Sequence, residues 1–260
     1  MNDELIAQLG DLLFDALRSR KTQPPLTDTY PSITIDDAYR ISLHLLQRRL
    51  AEGERVIGKK IGVTSEAVMS MLNVRQPDFG FMTDAMRHDG DMAISKLLIQ
   101  PRAEGELAFI LKRDLIGPGI TNDDVLVATD AVVPCFEVVD SRIDDWKIKI
   151  QDTVADNASC GLFTINENAA VNPNKVDLIN CEMVVSKNGA VISSGKGHAA
   201  MGNPINCVTW LANTLGQYGI GLSAGDVILS GSLVPLEPVT AGDVMTVRVA
   251  GIGECSVNFT

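Results

Sequence analysis

The chain has 260 residues, of which 45% are hydrophobic and 21% charged, a composition typical of a globular protein with one large domain or one domain and a smaller appendage. Its formal net charge of −11 argues against a nucleic-acid-binding surface. It has no apolar run near the roughly 18 residues of a membrane span, and its acidic N-terminus lacks the pattern of a signal peptide. We therefore expect a cytoplasmic protein with neither nucleic acid nor membrane as a partner.

The N-terminal region, residues 1–53, is predicted to be helical. Leucines recur at helical spacing from Leu5 to Leu17, and the segment KTQPPLTDTYP then interrupts the pattern. A second helix is predicted to begin after Thr34, a suitable N-cap with Asp37 three residues later. These two helices would form a cap region on the rest of the chain.

The rest of the chain, residues 54–260, reads as a β-rich body. Short apolar runs such as ELAFIL, AVVPCFEVVD and VMTVRVAG are typical of strands, and KNG at 187–189 is typical of a hairpin turn. One further helix is predicted to start at Asn203 and Pro204 and to close near Gly219. The fold class indicated is α+β.

Five cysteines are scattered along the chain without a CxxC spacing, and their number is odd. This pattern predicts reduced, buried thiols and neither a disulfide framework nor a zinc site. The three histidines also lack zinc spacing, and we expect each to be structural or solvated.

Two acidic residues stand inside one predicted strand. Glu104 and Glu106 point to the same face, since side chains alternate along a strand. Glu137 lies in a second apolar run. A lone buried glutamate is usually paired with Arg or Lys, but three converging carboxylates favour a divalent cation, and oxygen-only ligands indicate Mg²⁺ or Mn²⁺.

Other polar residues interrupt apolar stretches nearby. In GKKIGVTS, two lysines share a strand on opposite faces, so one of them should point inward. Asp78 in QPDFG is a turn residue or a functional acid. DTVADNASCG, residues 152–161, has small polar residues that suit close approach to a ligand, or form a simple capping loop.

Together, the stretches GERVIGKKIGVTS, QPDFG, IQPRAEGELAFIL, CFEVVDSRIDDWKIKIQDTVADNASCG and AGDVILSGSLVPLEPV resemble the 2-keto-4-pentenoate hydratases of meta-cleavage aromatic catabolism. These belong to the fumarylacetoacetate-hydrolase-like superfamily. The resemblance spans nearly the whole chain. It implies a mixed, rolled β-structure with a carboxylate-held divalent metal and a helical N-terminal region.

The resemblance also implies roles for individual residues. Glu104, Glu106 and Glu137 would be the metal ligands, and Lys60 and Asp78 the catalytic acid–base groups, with the choice of water activator left open. Substrate contacts would come from two serines, Ser159 of DNAS and Ser232 of SGSL. At the SGSL position, the superfamily usually has a glycine-threonine turn.

The implied reaction is hydration of 2-hydroxypenta-2,4-dienoate to 4-hydroxy-2-oxopentanoate by a homo-oligomer that associates with 4-oxalocrotonate decarboxylase. The alternatives are that decarboxylase activity itself, acylpyruvate hydrolysis, or a non-catalytic subunit that stabilises the decarboxylase. The decarboxylases typically have leucine-lysine in place of Lys59–Lys60 and lack the aspartate of QPDFG, so Asp78 favours hydration.

Overall fold

The computed structural model describes residues 1–65, 69–70 and 74–260. Within them, the α-helices are α1 (Asp3–Ser19), α2 (Leu26–Thr29), α3 (Ile35–Ala51), α4 (Ile94–Leu97), α5 (Asn122–Ala128), α6 (Ile150–Ala155) and α7 (Pro204–Gly216). The strands are β1 (Val56–Gly62), β2 (Asp78–Thr83), β3 (Arg102–Leu111), β4 (Thr129–Val139), β5 (Leu162–Ile165), β6 (Glu182–Lys187), β7 (Ala190–Lys196), β8 (Val227–Leu229), β9 (Glu237–Pro238), β10 (Val244–Val249) and β11 (Gly253–Asn258).

The two long N-terminal helices form where the local pattern predicts them. Thr34 accepts a hydrogen bond from the Asp37 backbone N–H, and the Asp37 side chain accepts from the Thr34 N–H, which makes a reciprocal capping box at the start of α3. Helices α1 and α3 then pack against each other through buried apolar side chains such as Leu13 and Leu45.

The strands form two sheets. The larger follows the order β2-β1-β8-β3-β4-β5, with β9 also paired to β3, and the smaller follows β11-β10-β6-β7. The large sheet is mixed, because β1 and β8 run parallel while the other pairs are antiparallel. The Asn188–Gly189 turn joins β6 and β7 as predicted, both residues having positive φ.

The smaller sheet covers one face of β3. A Cβ atom added at Gly105 would lie 3.0–3.2 Å from side-chain atoms of Met183, Val185 and Val247 in that sheet. Since alternate residues point to opposite faces, Glu104 and Glu106 point away from the smaller sheet. The fold therefore directs these two acids to the other side of β3.

The predicted fold class is confirmed: helices and a mixed sheet combine in one chain, with the helical pair at the N-terminal end. One large apolar cluster extends from Ile6 in α1 to Phe259 near the end of the chain, and the division at residue 53 stays a prediction. The predicted body includes residues 66–68 and 71–73, which lie outside the described part. No helix among the described residues is long and apolar enough to cross a membrane.

Candidate metal centre

Three carboxylates lie close together on the face of β3 and β4 that points away from the smaller sheet. Glu104 is the register partner of Glu137, and Glu106 lies two residues further along the same face. One oxygen from each lies within 4.8 Å of the other two, an arrangement that could hold a metal ion. Glu106 and Glu137 are almost fully buried, at 1% and 2% exposure. We refer to Glu104, Glu106 and Glu137 as the carboxylate cluster.

The cluster is electrostatically unfavourable by itself. Burial raises the pKa of all three acids; that of Glu104 reaches about 8, with the Glu137 charge as the next cause. The Gly231 N–H donates to Glu106 Oε2 at 2.8 Å. Neither oxygen of Glu137 accepts a hydrogen bond from any described residue. Buried, under-satisfied oxygen donors of this kind fit a hard divalent cation.

Lys60 supplies positive charge next to the cluster. Its Nζ lies 3.4 Å from Glu137 Oε1, and both side chains are buried. Burial alone would lower the pKa of Lys60, but the surrounding carboxylates, Glu137 first among them, raise it above its ordinary value. The prediction that one of the two lysines points inward was incomplete. Lys59, on the other face of β1, is also buried and forms an ion pair with Asp226.

Asp78 opens strand β2, opposite Gly62 of β1. It is 2% exposed, its Oδ1 has no hydrogen-bond partner among the described residues, and burial raises its pKa. A Cβ atom at Gly62 would lie 2.3 Å from Asp78 Oδ1 and 3.1 Å from Lys60 Nζ. The missing side chain therefore makes room for the acid and the lysine to lie beside each other.

Ser159 lies in a left-handed turn between α6 and β5. Asn157, Ala158 and Ser159 all have φ between 51° and 55°, a conformation that non-glycine residues rarely adopt. The buried Arg142 stabilises this turn by donating to Asp156 and to the Asp156 and Cys160 carbonyls. The sequence did not predict this turn.

The turn is also attached to the strand that carries Asp78. The Asn157 side chain accepts from the Phe81 N–H at 2.8 Å and donates to the Phe81 carbonyl at 2.9 Å, like a short piece of neighbouring strand. Ser159 and Thr153 share a hydrogen bond of 3.1 Å between their hydroxyls. The DNAS segment is therefore more than a capping loop.

Ser232 follows β8 in the loop SGSL. Its hydroxyl donates to the Val234 carbonyl, and it also lies 3.4 Å from the Gly105 carbonyl next to the cluster. Gly231 has φ +94°, and a Cβ atom there would lie 2.4 Å from the Thr64 side chain. Glycine is thus required at the point where the backbone N–H reaches Glu106. Sequence reasoning singled out the serine and missed this glycine.

A cavity of about 740 Å³ opens over these groups. Its wall includes five of the seven predicted residues: Lys60, Asp78, Glu104, Ser159 and Ser232. Glu106 and Glu137 complete the cluster beneath Glu104. The wall also contains Arg102 and Trp146, which were not predicted as site residues.

The five cysteines are all buried, as predicted, and none forms a disulfide. Of the histidines, His44 lies in α3 with its Nε2 2.9 Å from Asp11 Oδ1, a contact that joins two helices. Neither residue type contributes to a metal cluster within the described chain.

Comparison with known proteins identifies the lineage of this site. The family model described as fumarylacetoacetate (FAA) hydrolase C-terminal matches residues 64–260. The chain belongs to this family. A 2-hydroxyhexa-2,4-dienoate hydratase of Comamonas testosteroni is 58% identical over 99% of this chain and 98% of its own length. A 2-hydroxypent-2,4-dienoate hydratase of Pseudomonas putida is 64% identical over 85% of this chain and 100% of its own.

A solved structure supports the same relationship. The 4-oxalocrotonate decarboxylase from Pseudomonas putida G7, complexed with magnesium and adipate, superposes with a TM-score of 0.95 at 35% identity, covering 100% of this chain and 99% of that one. The predicted resemblance to the dienoate hydratases is therefore confirmed, and so is the predicted superfamily fold.

Proposed function

We propose that this protein is a divalent-metal-dependent hydro-lyase that adds water to 2-hydroxypenta-2,4-dienoate and yields 4-hydroxy-2-oxopentanoate. The observation that carries the proposal is the carboxylate cluster at the base of the cavity, with Lys60 and Asp78 beside it. The hydratase relatives at 58% and 64% identity make this reaction class the preferred one.

Glu104, Glu106 and Glu137 would hold Mg²⁺ or Mn²⁺. When bound, the cation supplies Lewis-acid polarisation of the 2-oxo acid end of the substrate. Three carboxylates and a dication leave one negative charge, which the Lys60 ammonium beside Glu137 offsets. By offsetting this charge, Lys60 would lower the electrostatic cost of binding an anionic substrate in a buried site.

Water would add to C4 of the 2-oxo-3-ene tautomer of the substrate. Asp78 would accept the proton of this water, and a proton would be delivered to C3 of the resulting enolate to give the product. The Asp78 Oδ1 atom is buried and has no donor among the described side chains and backbone, so it is available for a water molecule. Lys60, already paired with Glu137, would donate to developing negative charge on the substrate. Ser159 and Ser232, both on the cavity wall, would contact the substrate.

Decarboxylation is the second candidate, because the decarboxylase from Pseudomonas putida G7 matches over 100% of this chain. Its identity of 35% is well below that of the hydratases. Assembly as a homo-oligomer and association with such a decarboxylase stay predictions.

One assay separates the two candidates. Purified protein with Mg²⁺, and separately with Mn²⁺, is given the dienol or 4-oxalocrotonate. Loss of the dienol ultraviolet absorbance without release of CO₂ from 4-oxalocrotonate is the expected result. Release of CO₂ together with an unchanged dienol would reject the hydratase assignment.

A further inference from the structure

Arg102 is a cation at the outer end of the cavity whose charge the proposed hydration does not use. It lies on β3 two residues before Glu104, and it therefore shares a strand face with Glu104 and Glu106. Its side chain is half-buried and contributes to the cavity wall.

Trp146 holds this arginine in place. The Arg102 guanidinium carbon lies 4.6 Å from the centre of the Trp146 ring, a cation–π contact. The Trp146 Nε1–H donates to the Gln100 carbonyl at 3.0 Å. Asp145 and Trp146 both have positive φ, at 52° and 57°, so two unfavourable backbone conformations put the indole at this point.

Within residues 1–65, 69–70 and 74–260, the guanidinium has no anionic partner. Among the described residues, no carboxylate forms an ion pair with Arg102, although 18 such contacts occur elsewhere. Asp145, on the same part of the wall, is paired with Lys147 at 3.0 Å instead. A stacked guanidinium still presents its N–H donors in a plane that matches a carboxylate.

The two ends of the cavity differ in burial. Lys60 and Asp78 are at most 4% exposed, whereas Leu236 on the same wall is 40% exposed and Asp145 is also exposed. Apolar side chains also line this wall, among them Ile148 and Val139, the register partner of Arg102. A ligand fixed at the carboxylate cluster would thus extend along an apolar wall toward Arg102.

We infer that Arg102, stacked on Trp146, is a specificity-determining residue that binds a second carboxylate at the far end of the ligand. The site then takes 2-oxo and 2-hydroxydienoic acids with an acid group at each end, in addition to the monocarboxylic dienol. This inference rests on the proposed function, since it places the first carboxylate at the metal centre.

The test compares ligands that differ only in the distal group. Binding of 2-oxopentanoate and 2-oxoglutarate, and of 2-oxohexanoate and 2-oxoadipate, is measured by calorimetry with saturating Mg²⁺. At least one dicarboxylate should bind the parent protein about 10- to 100-fold more tightly than its monocarboxylate match, the range of a charge-assisted hydrogen bond. Equal binding within both pairs overturns the inference without any variant.

Variants then assign the effect to the arginine. Arg102→Gln should abolish the preference for dicarboxylates, and Arg102→Lys should retain part of it. The matched control is Arg113→Gln, at an exposed arginine outside the cavity wall, which should keep the parental preference. If Arg102→Gln weakens both members of a pair equally, the arginine acts on the shared 2-oxo acid end, and the inference is wrong.

The outcome is separable from that of the proposed function. Hydration of the dienol by the parent protein is measured in its own assay. A dicarboxylate preference without dienol hydration would reject the hydratase and keep the distal subsite. Hydration of the dienol with no preference for dicarboxylates would keep the hydratase and reject the distal subsite.

Discussion

Replacing Glu104 by glutamine should stabilise the metal-free protein. The folded-state pKa of Glu104 is about 8, against an ordinary value of 4.5, because the side chain is buried beside Glu137. At pH 7 the unfolded chain carries this group ionised, whereas the folded chain holds it protonated. Folding must therefore take up a proton, which costs about 3 kcal/mol at pH 7.

The measurable gain will be smaller than this figure. Glu104 borders a cavity open to water, which screens its charge, so we expect about 1–2 kcal/mol at pH 7. For a chain of this size, that corresponds to a rise in Tm of roughly 2–8 °C. The sign follows from a raised pKa: the penalty is absent below pH 4.5, grows between pH 4.5 and 8, and is constant above.

The assay is a set of melting curves in chelator from pH 4.5 to 8.5, for the parent protein, Glu104→Gln and the control Glu182→Gln at an exposed position of β6. The gap between Glu104→Gln and parent should open with pH, and that of the control should not. Added Mg²⁺ should raise the Tm of the parent more than that of the variant, which lacks one of the three proposed ligands. A variant that melts below the parent at every pH would refute the electrostatic account of the cluster.

Three further predictions address the acid, the glycine beside it and a distant turn. Asp78→Asn should lower kcat by about 10²-fold with little change in KM, since the proposed metal ligands do not include this side chain. A parental kcat in steady-state kinetics would mean that Asp78 of QPDFG is only a turn residue. Gly62→Ala should lower kcat comparably while Mn²⁺ affinity stays near parental, because the new methyl group would meet Asp78 and Lys60; unchanged kinetics would contradict the steric argument. The pKa of Asp243 is lowered to about 2, chiefly by the Asn188 hydrogen bond. The ionised Asp243 therefore stabilises the fold above its ordinary pKa of 3.8, and this contribution is lost as pH falls through 2. Discounted for solvent screening, Asp243→Asn should lower the unfolding free energy by about 1 kcal/mol at pH 7. In urea titrations, the difference in unfolding free energy between parent and variant should narrow from pH 4 to 2.

The elements that could be predicted from the sequence are those specified by residues close together in the chain. The capping box at Thr34 and the Asn188–Gly189 hairpin each depend on residues within a few positions of one another. Alternation along β3 was likewise sufficient to put Glu104 and Glu106 on one face.

The residues that sequence reasoning missed depend on distant partners. Lys59 is buried because Asp226, 167 positions away, lies across from it. The left-handed turn around Ala158 needs Arg142 to hold its carbonyls, and helix α6 before it was not predicted. Nothing in the run DSRIDDW signals that Trp146 stacks on Arg102, because the contact joins two segments through backbone conformations that only the fold imposes.

The adjacent lysines of β1 have a consequence for insertions and deletions. If the strand slipped by one position, so that Lys59 took the place of Lys60, an ammonium group would still face the glutamates, since neighbouring side chains exchange faces. Charge at the carboxylate cluster would therefore not by itself reject the shifted strand. The same slip would put Ile61 where Gly62 stands, and its branched side chain would enter the space of Asp78 Oδ1, 2.3 Å from the Cβ position. Gly62 thus fixes the register of β1, and insertions or deletions between residues 56 and 62 should be poorly tolerated.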